Sequence, residues 1–175
     1  LEKFFSMEYA QRAELFEGLR IWKYKEYREI QGTYPVIFLS FANVKENTYE
    51  QARESICRII QELYNKNIFL LHTDLLTDNE KEEYKQISTK MNDSMISDAI
   101  RKMSDYLSRY YGKKTIILLD EYDTPIQEAY VGGFWPDLMG VLRSLLNSTF
   151  KTNPYLERAI MTGITRVSSG VEYGS

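Results

Sequence analysis

Lys114-Thr-Ile-Ile-Leu-Leu-Asp-Glu-Tyr-Asp-Thr-Pro-Ile126 decides the fold. Thr115 leads into an unbroken apolar run, Ile116-Ile-Leu-Leu119, and the acids Asp120, Glu121 and Asp123 follow directly. Apolar residues that do not alternate with polar ones, with β-branched side chains among them, suit a strand buried on both faces of a parallel sheet. Such a strand has no room for carboxylates in its interior, so Asp120 and Glu121 belong where it emerges. In open α/β sheets that is the carboxyl edge, where ligands bind. The plainer alternative is a buried strand that runs into a polar turn helped closed by Pro125. This stretch alone leaves both readings open.

Composition sets the frame. With 175 residues, 43% hydrophobic and 27% charged, the chain reads as one globular domain with a substantial core. A net charge of −3 gives no electrostatic footprint for nucleic acid. No apolar segment approaches the roughly 20 residues that span a bilayer, so no membrane partner is expected. Leu1-Glu-Lys-Phe-Phe5 does not read as a secretory signal. Cys57 is the only cysteine and His72 the only histidine, which excludes an intrachain disulfide and a multi-histidine metal site. A cytoplasmic location is the resulting expectation. The fourteen tyrosines follow no pattern and read as amphipathic filler.

Working outward from the central stretch, residues 36–41 (Val-Ile-Phe-Leu-Ser-Phe) form the first strand, entered through Pro35. Asn47 and Thr48 cap a helix over 49–65 whose Ala52, Ile56, Ile59, Ile60 and Leu63 keep the 3.6-residue period. Cys57 flanks that stripe and reads as packing. Residues 68–71 read as a helix end or a packed loop, and His72 as a surface residue. A charged helix is predicted over 77–91, then a second capped at Asn92 or Ser94, with Gly112 just past its end. After the 114–120 strand the sequence predicts a turn and loop to Gly133, then a helix over 135–150. A third strand covers 159–162, ending in Thr162 and Gly163. Residues 1–19 read as a helix broken near Gly18, with no capping residue ahead of it. Strands alternating with helices argue for a parallel α/β sheet.

An apolar strand that ends in Asp-Glu matches the Walker B pattern of P-loop ATPases. There the first acid helps hold Mg²⁺ and the second orients or deprotonates the attacking water. Asp120 is then the metal ligand and Glu121 the catalytic residue. Thr162, leaving the next strand, would place the water, and Arg166 beyond it would reach a phosphate. Each also has a plainer reading, Thr162 as a satisfied strand end and Arg166 as an exposed arginine. Asp123 reads as a turn-former ahead of Pro125. Such a site also needs a glycine-rich phosphate loop between a strand and a helix. Gly112-Lys-Lys-Thr115 is not one, because a helix ends there and a strand follows.

Four stretches together resemble the AAA-ATPase-like family often found in gut and anaerobic bacteria. They are Leu15-Phe-Glu-Gly-Leu-Arg-Ile21, Tyr34-Pro-Val-Ile-Phe-Leu-Ser-Phe41, Lys114 through Ala129 with its Asp-Glu-Tyr-Asp-Thr-Pro run, and Asn153-Pro-Tyr-Leu-Glu-Arg-Ala-Ile-Met-Thr-Gly-Ile-Thr-Arg-Val167. In that family the ATPase-like module precedes a PD-(D/E)XK nuclease-like domain. The resemblance implies a three-layer P-loop NTPase-like sheet flanked by helices, of AAA/RecA type. It places the 114–120 strand between the other two, and a phosphate-loop strand on the outer side of 159–162. It implies Mg²⁺ and ATP as cofactors of a full-length parent, and nucleic acid as a partner only through the nuclease-like domain. Two departures qualify it: the family's Arg-Arg-Phe-Gly-Lys-Thr/Ser loop is not in the sequence, and residues 168–175 do not follow the family's pattern. Residues 1–175 therefore read as a partial AAA-ATPase-like domain lacking the Walker A strand and loop, inactive by itself and prone to self-association through an exposed sheet edge. The competing readings are a non-catalytic interaction or scaffold module with an ATPase-like fold and, further off, a metal-dependent phosphohydrolase using Asp120, Glu121 and Asp123.

Overall fold

A computed structural model describes residues 1–164. In chain order it contains α1 (Glu2–Phe5), α2 (Lys25–Ile30), β1 (Val36–Ser40), α3 (Tyr49–Lys66), α4 (Asp78–Lys85), α5 (Asp93–Tyr111), β2 (Thr115–Asp120), α6 (Thr124–Gly132), α7 (Trp135–Phe150) and β3 (Leu156–Met161). The strands form one parallel sheet in the order β1-β2-β3, with Ser40 opposite Asp120 and Leu119 opposite Met161. The order has a direct cause. Thr115 to Leu119 are all buried, and only a central strand can hide both faces of an apolar run.

Alternation along the strands divides the sheet into two unlike faces. Ile37, Leu39, Ile117 and Leu119 enter a core shared with Ile56 and Ile60 of α3, Ile100 and Met103 of α5, and Leu138 and Leu145 of α7. Each such side chain contributes about 1.5–3 kcal/mol on burial. The α3 stripe is built as the 3.6-residue period predicts, and the Thr48 hydroxyl accepts the Gln51 N–H to start the helix. Asn92 starts α5 by accepting the Met95 N–H at 2.9 Å, and Gly112 ends it in the left-handed region at φ 65°. Cys57 is buried in this core, and burial pushes its thiol pKa up, as suits a packing residue rather than a nucleophile.

On the opposite face Phe38, Leu118 and Ile160 lie in one row across the three strands. Among the described residues no long helix lines the cleft over them. Phe4, Leu15 and Phe16 of the N-terminal segment come over the row and leave a cleft of about 610 Å³, which Asp120 and Thr162 also line.

Four segments differ from the sequence expectation. Residues 1–19 do not form a helix: α1 is a single turn, followed by 3₁₀ turns over Met7–Tyr9 and Ala13–Phe16. A non-local pairing competes with helix there, since Ser6 makes a parallel bridge with Tyr34 and the Met7 N–H donates to the Tyr34 carbonyl. The charged helix α4 stops at Lys85 because Tyr84 is its only buried residue, too little apolar surface to carry a longer helix. The predicted loop to Gly133 is instead helix α6. Pro125 sits in its first turn, where a missing N–H costs nothing, and Ile126 and Ala129 are buried. Finally, β3 begins at Leu156, earlier than predicted, and Thr162 stands just past its end.

Candidate functional site

The acids sit where the sheet runs out. β2 is held by apolar packing through Leu119, and Asp120, its last residue, is half-buried at the carboxyl edge. A hydroxyl from each neighbouring strand reaches its carboxylate. Thr162 Oγ1 donates to Oδ1 at 2.6 Å, and Ser40 Oγ donates to Oδ2 at 3.3 Å. Both meetings follow from the register, which sets Ser40 directly beside Asp120 and brings Thr162 in one residue after the Leu119–Met161 pair. The two hydroxyls fix the carboxylate plane while leaving lone pairs free for a cation.

Glu121 is the only non-glycine among the described residues with a positive φ, at 49°. The chain turns there from strand into α6, with the Thr124 N–H donating to the Glu121 carbonyl at 3.1 Å. A left-handed conformation costs a residue with a Cβ roughly 1–2 kcal/mol. The carboxylate that remains is exposed, and its Oε2 accepts a bond from Thr124 Oγ1 at 3.3 Å. The Glu121 backbone N–H points to Thr162 Oγ1 at 3.4 Å, so one threonine touches both consecutive acids.

Asp123 stands in the turn ahead of Pro125, as the sequence reads, but its side chain reaches further than a turn-former's. It is 1% exposed, and its side chain makes no cap bond to α6. Its Oδ2 instead accepts the Ile164 N–H at 2.9 Å, from the segment leaving β3, and Gln127 Nε2 at 3.0 Å. That carboxylate is turned away from solvent, and no group of three or more acidic, histidine or cysteine side chains among the described residues is arranged for a metal. Asp123 thus faces away from the exposed Glu121 carboxylate and into the β3 exit.

The structure thus brings Asp120, Glu121 and Thr162 together. Arg166 lies outside the described residues. Sequence reasoning missed Ser40, whose signal was its place as the last residue of β1 at the same sheet edge, and the reach of Asp123 to Ile164. His72 is exposed at the end of a 3₁₀ turn, Ile68–His72.

A family model described as predicted AAA-ATPase matches residues 1–170 of this chain. No curated protein and no solved structure matches it.

Proposed function

Since the chain belongs to the predicted AAA-ATPase family, we propose that its β2 edge is the Walker B half of a site that binds and hydrolyses ATP with Mg²⁺. The observation that carries this reading is the 2.6 Å bond between Thr162 Oγ1 and Asp120 Oδ1, with the exposed Glu121 carboxylate next in sequence. The donor set suits Mg²⁺, which takes one or two carboxylates plus phosphate oxygens and waters rather than an all-protein cage. Bound Mg·ATP supplies the phosphoryl group and neutralises charge on its oxygens.

Within that site the chain's own residues divide the work. Asp120, oriented by Ser40 and Thr162, holds the metal. Glu121, unable to retreat into the sheet from its left-handed turn, orients a water and accepts its proton. Thr162 places that water, and Arg166 meets a phosphate. A glycine-rich loop supplies most of the affinity of such sites through backbone N–H groups and a lysine, and this sequence contains none. The chain alone accordingly neither holds ATP tightly nor hydrolyses it, and turnover belongs to a form that carries a phosphate loop.

Phosphate release by that form tests the reading. Glu121→Gln should keep ATP binding and lose turnover by at least about a hundredfold, while Asp120→Ala should weaken the Mg²⁺-dependent part of binding. Calorimetry on the 175-residue chain should give no micromolar Mg·ATP affinity. Full turnover by Glu121→Gln, or tight binding by the chain alone, means the site is elsewhere.

A second reading, a non-catalytic interaction module that self-associates, is favoured by β3. Glu157 to Met161 are all exposed, and no strand among the described residues pairs with the outer edge of β3. Light scattering that finds a monomer at high concentration removes it.

A further inference from the structure

We propose that Asp123 is a positioning residue whose buried carboxylate holds Gly163 and Ile164, and through them the Thr162 hydroxyl, against the Asp120–Glu121 turn. The inference rests on the reading of that turn as the acid half of an ATPase site and adds to it a residue that touches neither metal nor water.

A carboxylate at 1% exposure needs strong hydrogen bonds to remain there. The local role open to Asp123 is capping α6, and its side chain does not take it. Its backbone carbonyl alone receives the Ile126 and Gln127 N–H groups, at 3.1 and 3.0 Å. The side chain reaches the Ile164 N–H, 41 residues away in sequence, and Gln127 braces it from one turn along α6.

Gly163 supplies an independent second sign. A Cβ there would lie 2.5 Å from Asp123 Oδ1 and 2.7 Å from its Cγ, so the strand exit and the carboxylate are in contact that only glycine permits. Thr162 is consequently clamped from both sides. Behind it, its N–H donates to the Leu119 carbonyl at 2.8 Å and its carbonyl accepts the Tyr122 N–H at 3.2 Å. Ahead of it, Asp123 fixes the next two residues. The exposed β3 offers little side-chain packing to do this work.

The test is a double-mutant cycle on the 175-residue chain, read by the Thr162 methyl resonance and the exchange rate of the Ile164 amide. Asp123→Ala should speed Ile164 exchange by about tenfold or more while leaving the β2 amides within about twofold. Gly163→Ala should shift the Thr162 methyl resonance in the parent chain. In the Asp123→Ala background, where the colliding carboxylate is gone, it should add little. Additive effects of the two substitutions, a silent Gly163→Ala, or exchange that rises equally through β2 and α6 overturn the proposal. If Asp123→Ala does not fold, Gly163→Ala alone decides, because it leaves the buried carboxylate in place.

In a form with a phosphate loop, Asp123→Ala should lower kcat for Mg·ATP about tenfold or more with KM within about twofold, the mark of misplacement rather than lost binding. An unchanged kcat beside an active parent overturns the positioning role. Should Glu121→Gln retain turnover, the ATPase reading fails, and the exchange pattern still decides whether Asp123 is the latch.

Discussion

β2 and β3 lie side by side in one sheet and are held in opposite ways. Ile116 to Leu119 of β2 are at most 5% exposed, whereas β3 has no fully buried residue. Packing locates the first strand. The second is located by its backbone ladder and by polar contacts at its far end, where Thr162 meets Asp120 and Ile164 meets Asp123. The difference matters because Asp120 and Glu121 stand at the end of the packed strand, and the hydroxyl that meets the Asp120 carboxylate and the Glu121 N–H stands just past the end of the bare one. The site joins a fixed half to a half held by a few hydrogen bonds.

The comparison breaks first if the two strands respond alike to truncation. Ile117→Ala, in the sealed core, should cost about 3–4 kcal/mol in denaturant unfolding. Ile160→Ala, at a site 38% exposed, should cost less than about 1 kcal/mol. Equal losses would mean that β3 is packed after all.

Thr162→Val tests the polar half. It removes the hydroxyl from Asp120 and Glu121 while keeping the shape, and should cost about 0.5–1.5 kcal/mol, with hydrogen exchange rising at the β2–β3 edge rather than under the helices. Glu121→Gly should act in the other direction. Glycine relieves the left-handed backbone at φ 49°, and the gain, set against glycine's greater unfolded-state entropy, should be up to about 1 kcal/mol. A variant more stable but without turnover would show strain held at the functional turn.

The smallest effect lies in the helical layer, far from either acid in sequence. Burial disfavours the Glu80 carboxylate, but bonds from the Thr77 backbone N–H, the Arg109 guanidinium and the Thr77 hydroxyl outweigh it and hold its pKa below the ordinary 4.5. A depressed folded pKa gives stability that is present above 4.5 and lost as pH falls through the lower folded value. Thermal unfolding of Glu80→Gln should therefore lose less stability on acidification below about pH 4.5 than the parent chain.

How far the sequence spoke follows the same division. α3, α5 and α7 were legible because their apolar residues keep the helical period, with caps at Thr48 and Asn92 for the first two, and β1 and β2 because they are short apolar runs. The sheet order followed from the resemblance, which also set Asp120 and Thr162 at the ends of neighbouring strands; their hydrogen bond did not show in the sequence. The region of residues 1–19 was not legible, because its conformation depends on a bridge from Ser6 to Tyr34 that no local pattern encodes. α6 was misread because Asp123-Thr-Pro125 serves a turn and a helix start equally well. Ser40 and Asp123 stayed hidden because what they contact lies 80 and 41 residues away.

The central claim is that a metal bound with ATP sits at Asp120, within reach of the β3 exit. It is tested most directly by substituting Mn²⁺ for Mg²⁺ in a form that carries a phosphate loop, with a non-hydrolysable ATP analogue. Paramagnetic broadening of the Thr162 methyl resonance is the readout. The account predicts that this signal disappears when Mn²⁺ and nucleotide are both present and returns with Mg²⁺. A Thr162 methyl left sharp while the nucleotide is bound would contradict it.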